Sequence, residues 1–151
     1  MRKLSYLVIG AGGTGGSIAA FLARAGKDVT LIVRGAHGKA IRENGMRMIC
    51  PSGTWTVPLK AVEEKDYEGK ADVIFVCVKG YSVSSIYDCI RKAAHENTVV
   101  IPILNIYGTG ERMAKELPGI RVLNGCIYIA AAIEAPGTIR MSGDIFRIVY
   151  G

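Results

Sequence analysis

The sequence is poor in the side chains that build metal and disulfide sites. Its four cysteines, Cys50, Cys77, Cys89 and Cys126, are widely spaced with no Cys-x-x-Cys, and only two histidines, His37 and His95, accompany them. That spacing argues against a zinc cluster or a disulfide framework, so no metal is expected, and it suits a reducing, cytoplasmic home. No apolar run approaches the roughly 20 residues needed to cross a bilayer. Met1-Arg2-Lys3 and the apolar residues after it mimic a signal peptide, but the stretch from Leu4 to Ile9 is too short and runs straight into glycines. Aromatic residues make up 7% of the chain, and no basic block exceeds two residues, so the formal charge of +6 is not laid out as a nucleic-acid footprint. It favours a small anionic ligand instead. Internal repeats and low-complexity segments are absent.

What is present is a globular composition, 50% hydrophobic and 21% charged over 151 residues. One domain of this size buries about 70% of its unfolded surface. The residues that carry most information run from Leu4 to Gly15, where an apolar, β-branched segment stops at Gly10 and opens into Gly-x-Gly-x-x-Gly (Gly10, Gly12, Gly15). Gly10 permits a tight turn out of a strand. Gly12 removes the side chain that would block a pyrophosphate, and Gly15 lets the next helix lie close to the sheet. A helical pattern from Thr14 to Ala25, closed by Gly26, places free amides and a favourable dipole against phosphates.

The end of the second strand, Asp28 to Arg34, discriminates between nucleotides. An NAD site places Asp or Glu there, about 20 residues past the glycines, to accept from ribose hydroxyls. This chain has Arg34, whose guanidinium can form paired bonds to a 2′-phosphate and stack on adenine, so NADP(H) is favoured. The plain alternative is a solvated arginine at a strand end. Lys39 and Arg42 could share the phosphate or form the wet face of a short helix.

Strand and helix patterns alternate along the chain as in a parallel sheet with right-handed crossovers. A short helix is expected over Gly38 to Asn44. Two short strands, Met46 to Cys50 and Thr54 to Val57, read as a small hairpin insertion around Pro51-Ser-Gly53. Ala71 to Val78 is apolar enough for a central strand covered on both faces. A helix from about Ser82 to His95, a strand from Thr98 to Leu104, a helix from Glu111 to Glu116 and a strand from Arg121 to Ile129 follow. Thr138 to Tyr150 reads as two antiparallel edge strands turning at Ser142-Gly-Asp144.

In such sheets ligands occupy the crevice beyond the carboxyl ends of the strands. Lys79, Asn105 and the Ala130-Ala131-Ala132 run all fall there. Taken singly, Lys79 is more often a solvated cap and Asn105 more often a turn residue that tolerates left-handed backbone. Their shared placement is what makes them candidates.

Gly10 to Gly16, the strand ending in Arg34, Val76-Cys-Val-Lys79, Pro102-Ile-Leu-Asn105, Gly125 to Ala131, and Pro136-Gly137 with a final strand to Gly151 together resemble the ketopantoate reductase (2-dehydropantoate 2-reductase) family over essentially the whole chain. The resemblance implies an α/β, Rossmann-type doubly wound, mainly parallel sheet with helices on both faces and antiparallel edge strands. It also implies cofactor contacts at Gly10, Ala11, Gly12, Gly13, Thr14, Gly15, Arg34, Lys79, Asn105 and Ala131, with Lys79 and Asn105 nearest the substrate. The chain departs from the family pattern in two places. The family's asparagine usually precedes glycine, whereas Ile106-Tyr107-Gly108 follows here, and Met141 stands where many members have histidine.

The implied reaction is NADPH-dependent reduction of a 2-oxo acid, 2-dehydropantoate, to the 2-hydroxy acid pantoate, a step of pantothenate biosynthesis. Family members carry a helical C-terminal domain that supplies the catalytic lysine, a substrate-fixing carboxylate and dimer contacts. Residues 1–151 are thus expected to be the NADP-binding domain, with no catalytic residue of their own, inactive alone and with an exposed face open to self-association. Neither nucleic acid nor membrane is an expected partner. A sulfur-carrier adenylyltransferase shares the glycine run but typically has acidic residues after the second strand and paired zinc cysteines. A stand-alone NADP(H)-sensing regulatory module without turnover is the remaining alternative.

Overall fold

A computed structural model describes residues 3–78, 86–103 and 109–151. In chain order the elements are β1 (Ser5–Ile9), α1 (Gly13–Arg24), β2 (Asp28–Ile32), α2 (Gly35–Asn44), β3 (Met46–Cys50), β4 (Gly53–Val57), β5 (Lys60–Val62), a short 3₁₀ turn (Glu64–Asp66) and β6 (Val73–Val76). There follow α3 (Tyr87–Ala93), β7 (Val99–Pro102), α4 (Thr109–Glu116), β8 (Arg121–Val122), β9 (Gly125–Tyr128), β10 (Ala131–Ala135), β11 (Thr138–Met141) and β12 (Arg147–Tyr150).

Six strands form one sheet in the order β5-β2-β1-β6-β7-β8, and every pairing in it is parallel. The chain leaves β1 for β2 on one side and reaches β6 on the other, so the order reverses at β1. That reversal leaves a crevice beyond the strands' carboxyl ends. Those ends are level: Ile9 pairs with Ile32 and with Val76, and Val76 with Pro102.

Alternation along β1 feeds two cores. Leu7 and Ile9 join Ile74, Val76, Ile90, Val100, Met113 and Leu117 in the core under α3 and α4. Val8 points the other way, toward Ile18, Ala19 and Ala20 of α1 and Leu31 of β2. The edge remote from the glycine turn is closed by polar groups. Asp72, 5% exposed, accepts from the Ser5 amide at 2.8 Å and lies 2.8 Å from His95 Nε2. Since His95 Nδ1 accepts from the Asn97 amide, its Nε2 carries the proton given to Asp72.

The predicted doubly wound sheet is present, with four corrections around it. The segment Met46–Val57 is a hairpin, but it is not an isolated insertion. It belongs to a second, four-stranded sheet in the order β10-β11-β3-β4, in which β11 joins β3 in parallel and the other pairs are antiparallel. The two strands expected within Thr138–Tyr150 do not pair with each other, because β11 lies between β10 and β3 while β12 pairs with β9. The strand expected over Arg121–Ile129 is split between β8 at the edge of the parallel sheet and β9, and the sequence reading gave β5 no place.

The second sheet covers the outer face of α1, whose residues Gly15 to Ala20 are all buried. Met46, Met48, Ile139 and Met141 line the covering side. Fully burying an Ile such as Ile139 contributes about 1.5–3 kcal/mol. Among the described residues no helix is long and apolar enough to cross a membrane.

Candidate nucleotide site at the glycine turn

Beyond Ile9 the backbone turns at Gly10 with φ +104, a conformation that disfavours any other residue. A Cβ here would also lie 2.9 Å from the Cys77 carbonyl carbon and the Val78 nitrogen, just past β6. Gly15 is close-packed in a different way, since its Cβ would fall on the Gly10 carbonyl oxygen and sit 3.0 Å from Cys77 Cβ. Strand, turn and helix are therefore closed up by absent side chains.

Gly12 differs from both. It is exposed, has ordinary backbone angles (φ −65, ψ −172), and among the described residues a Cβ on it would meet no atom within 4 Å. Packing among the described residues does not ask for glycine at this position. The first helical bond runs from the Gly16 amide to the Gly12 carbonyl at 2.8 Å, so the amides of Gly13, Thr14 and Gly15 precede it. The N-cap, Gly12, offers no side-chain bond to them, and the first turn contains no acidic residue. The result is a positive helix end that no described residue caps, suited to an anion.

The neighbouring strand end supplies cationic character. Arg34 is the exposed N-cap residue of α2, two residues beyond Ile32, whose carbonyl receives the Gly10 amide at 3.3 Å. Among the described residues no ion pair holds its guanidinium. Lys39 and Arg42 are also exposed, with Lys39 4.0 Å from Glu43 one helical turn on.

Ala131 reaches the turn from the second sheet. It opens β10, and a Cβ on Gly13 would strike its carbonyl. Lys79 and Asn105 lie outside the described residues. Ser17 stabilises the first turn from within, its hydroxyl donating to the Gly13 carbonyl at 2.5 Å. Burial pushes the Cys77 thiol up to about 12, which leaves it protonated and unreactive beside the turn.

Sequence reasoning overlooked His37. Its Nε2 lies 3.1 Å from the Ala11 carbonyl, and its Nδ1 accepts from the Gly137 amide at 2.8 Å. A lone histidine on a short helix carries no pattern, and Gly137 is a hundred residues away. Among the described residues no group of three His, Cys, Asp or Glu is placed to hold a metal.

Residues 6–151 match the family model described as Ketopantoate reductase PanE/ApbA. The chain belongs to the ketopantoate reductase family. A 2-dehydropantoate 2-reductase of Mesorhizobium japonicum is 30% identical over 91% of this chain and 48% of its own length. An uncharacterised oxidoreductase of Bacillus subtilis, YkpB, is 28% identical over 98% of the chain and 48% of its own length. Among solved structures, 2-dehydropantoate 2-reductase from Porphyromonas gingivalis superposes with a TM-score of 0.85 at 34% identity, covering 99% of this chain and 54% of that one. The chain thus spans about half the length of the ketopantoate reductase relatives it matches.

Proposed function

We propose that this chain is the NADP(H)-binding half of a ketopantoate-reductase-like oxidoreductase that reduces 2-dehydropantoate or a close 2-oxo acid. The observation that carries the reading is the pairing of two features on adjacent strand ends. No atom of the described residues lies where a Gly12 side chain would project, and Arg34 stands where an NAD site would place a carboxylate. The residues fit the dinucleotide. Amides of Gly13, Thr14 and Gly15 would take the pyrophosphate, Arg34 the 2′-phosphate, and Ala131 would back the turn from β10. Lys79 and Asn105 would flank the nicotinamide and substrate.

When bound, NADPH supplies a hydride to the ketone carbon, which is chemistry the protein itself cannot provide. The chain's own residues bind and orient; the proton donor and the substrate carboxylate clamp are assigned to the part of the relatives that lies beyond its span. Tyr128 and Val149 are exposed on one face of the β9–β12 pair, with Ile145 and Tyr150 exposed nearby, and this apolar surface is where the relatives' remaining part would pack, or where copies of the domain would associate. Four free thiols suit a cytoplasmic location.

The test is fluorescence titration of the 151-residue chain with NADPH and NADH. NADPH binds more tightly, Arg34→Ala narrows the gap, and Gly12→Val abolishes binding while circular dichroism and melting temperature stay near the parent. Equal affinities for the two nucleotides in the parent remove the NADP assignment. Reduction of 2-dehydropantoate by this chain alone would move the acid into residues 1–151, with Lys79 first in line.

A further inference from the structure

His37 has no task in the nucleotide reading, yet its ring joins three parts of the site. It sits in the first turn of α2, three residues after Arg34. Nδ1 accepts from the Gly137 amide, so the proton resides on Nε2, and Nε2–H donates to the Ala11 carbonyl. Gly137 is itself fixed: its carbonyl receives the Arg47 amide at 2.9 Å, and a Cβ on it would lie 3.0 Å from Ala40 Cβ. One imidazole thus fastens the glycine turn, the segment bearing Arg34 and the β10–β11 turn together.

We propose that His37 is a positioning residue for the dinucleotide, setting the separation between the turn that seats the pyrophosphate and the arginine that meets the 2′-phosphate, and doing so only as the neutral Nε2–H tautomer. The proposal rests on the NADP(H) reading above. A proton on Nδ1 would turn the acceptor into a donor facing the Gly137 amide, and the bridge would break. Burial holds the ring's pKa below its ordinary 6.5, opposed by the bond to Ala11. The charged groups on the elements that meet here are Arg34, Lys39, Arg42 and Glu43 on α2, Lys60 on β5, Arg47 on β3, Glu134 on β10 and Arg140 on β11. All are exposed, and Glu134 is paired with Arg140.

The experiment is calorimetric NADP⁺ binding to the parent, His37→Gln and His37→Ala chains at about pH 7.5 and about pH 5.5, a span that brackets imidazole titration. The Ala variant should bind roughly tenfold more weakly than the parent at the higher pH, as two bridging bonds are lost, and the gap should narrow at the lower pH, where the parent's own bridge breaks. Glutamine offers an acceptor oxygen and a donor nitrogen, so it should keep near-parent affinity at the higher pH. It should also lose less on acidification than the parent, because the phosphate's own titration is common to both. A folded Ala variant with parent affinity, or a Gln variant with the parent's pH slope, overturns the proposal. Where the Ala variant does not fold, the Gln slope decides. A parent that binds no NADP⁺ at either pH overturns the nucleotide reading and this proposal with it, whereas a binding parent with unaltered His37 variants overturns this proposal alone.

Discussion

On one side of α1 lie six parallel strands; on the other lie four of mixed direction, gathered from the segments that follow α2 and β9. The first sheet touches α1 through backbone, since Gly15 rests on the Gly10 carbonyl. At Gly16 the second touches it through side-chain ends, since a Cβ there would press on Ile139 Cδ1 and lie 3.2 Å from Met46 Cε. Two adjacent glycines in one helix therefore face a rigid layer and a compliant one. The rigid layer is the one that shapes the anion-facing turn.

Substituting each glycine in turn gives the largest expected contrast. Gly15→Ala should cost about 4 kcal/mol or more, because a main-chain oxygen and a strand end must move. Gly16→Ala should stay within about 1 kcal/mol of the parent, since flexible side-chain ends can shift and alanine is the better helix former. Urea denaturation of both variants measures it, and equal costs would dissolve the distinction between the layers.

Truncation of the covering sheet comes next. Ile139, fully buried against α1, should cost about 3 kcal/mol as Ile139→Ala. Nucleotide affinity in that variant should fall less than in Gly12→Val, since the turn's own backbone is untouched. Combined urea and NADPH titrations check both parts.

The smallest effect is chemical. Burial raises the thiol of Cys77 to about 12 and that of Cys89 to about 11, whereas Cys126 on β9 is exposed. The thiolate is the reactive form, so alkylation near pH 8 should modify Cys126 first, and Cys77 and Cys89 should react only as the pH climbs toward their raised values. Mass-spectrometric peptide mapping reads the order; early labelling of Cys77 would mean that the turn beside it opens.

The same contrast explains what could be read without coordinates. The parallel sheet announces itself because strands covered on both faces are continuous apolar runs, as in Val73–Val76 and Leu7–Ile9. Gly10, Gly12, Gly15 and Arg34 are legible because each follows such a run at a fixed offset. The second sheet is not, although its strands alternate clearly, with Met46, Met48, Ile139 and Met141 buried and Arg47 and Arg140 exposed. Alternation reveals a strand but not its partner, and the sequence reading pairs β11 with β12, the strand that follows it, when its partners are β10 and β3. One available signal was the run Gly15 to Ala20, which carries no charged or long polar side chain on any side of the helix and so demands cover on two sides. His37 is illegible for the same reason as the second sheet, because its partners are defined only after distant segments meet.

The pairing of Thr138 with Arg47 spans roughly ninety residues, a separation that makes closure slow relative to the local β1-α1-β2 unit. A chain emerging from synthesis would form the glycine turn early, with one flank of α1 still bare to solvent. The carbonyl of Ala131 behind Gly13 and the amide of Gly137 on His37 arrive only with β10 and β11. Maturation of the turn is therefore a late event in folding, timed by the strands farthest from it in sequence.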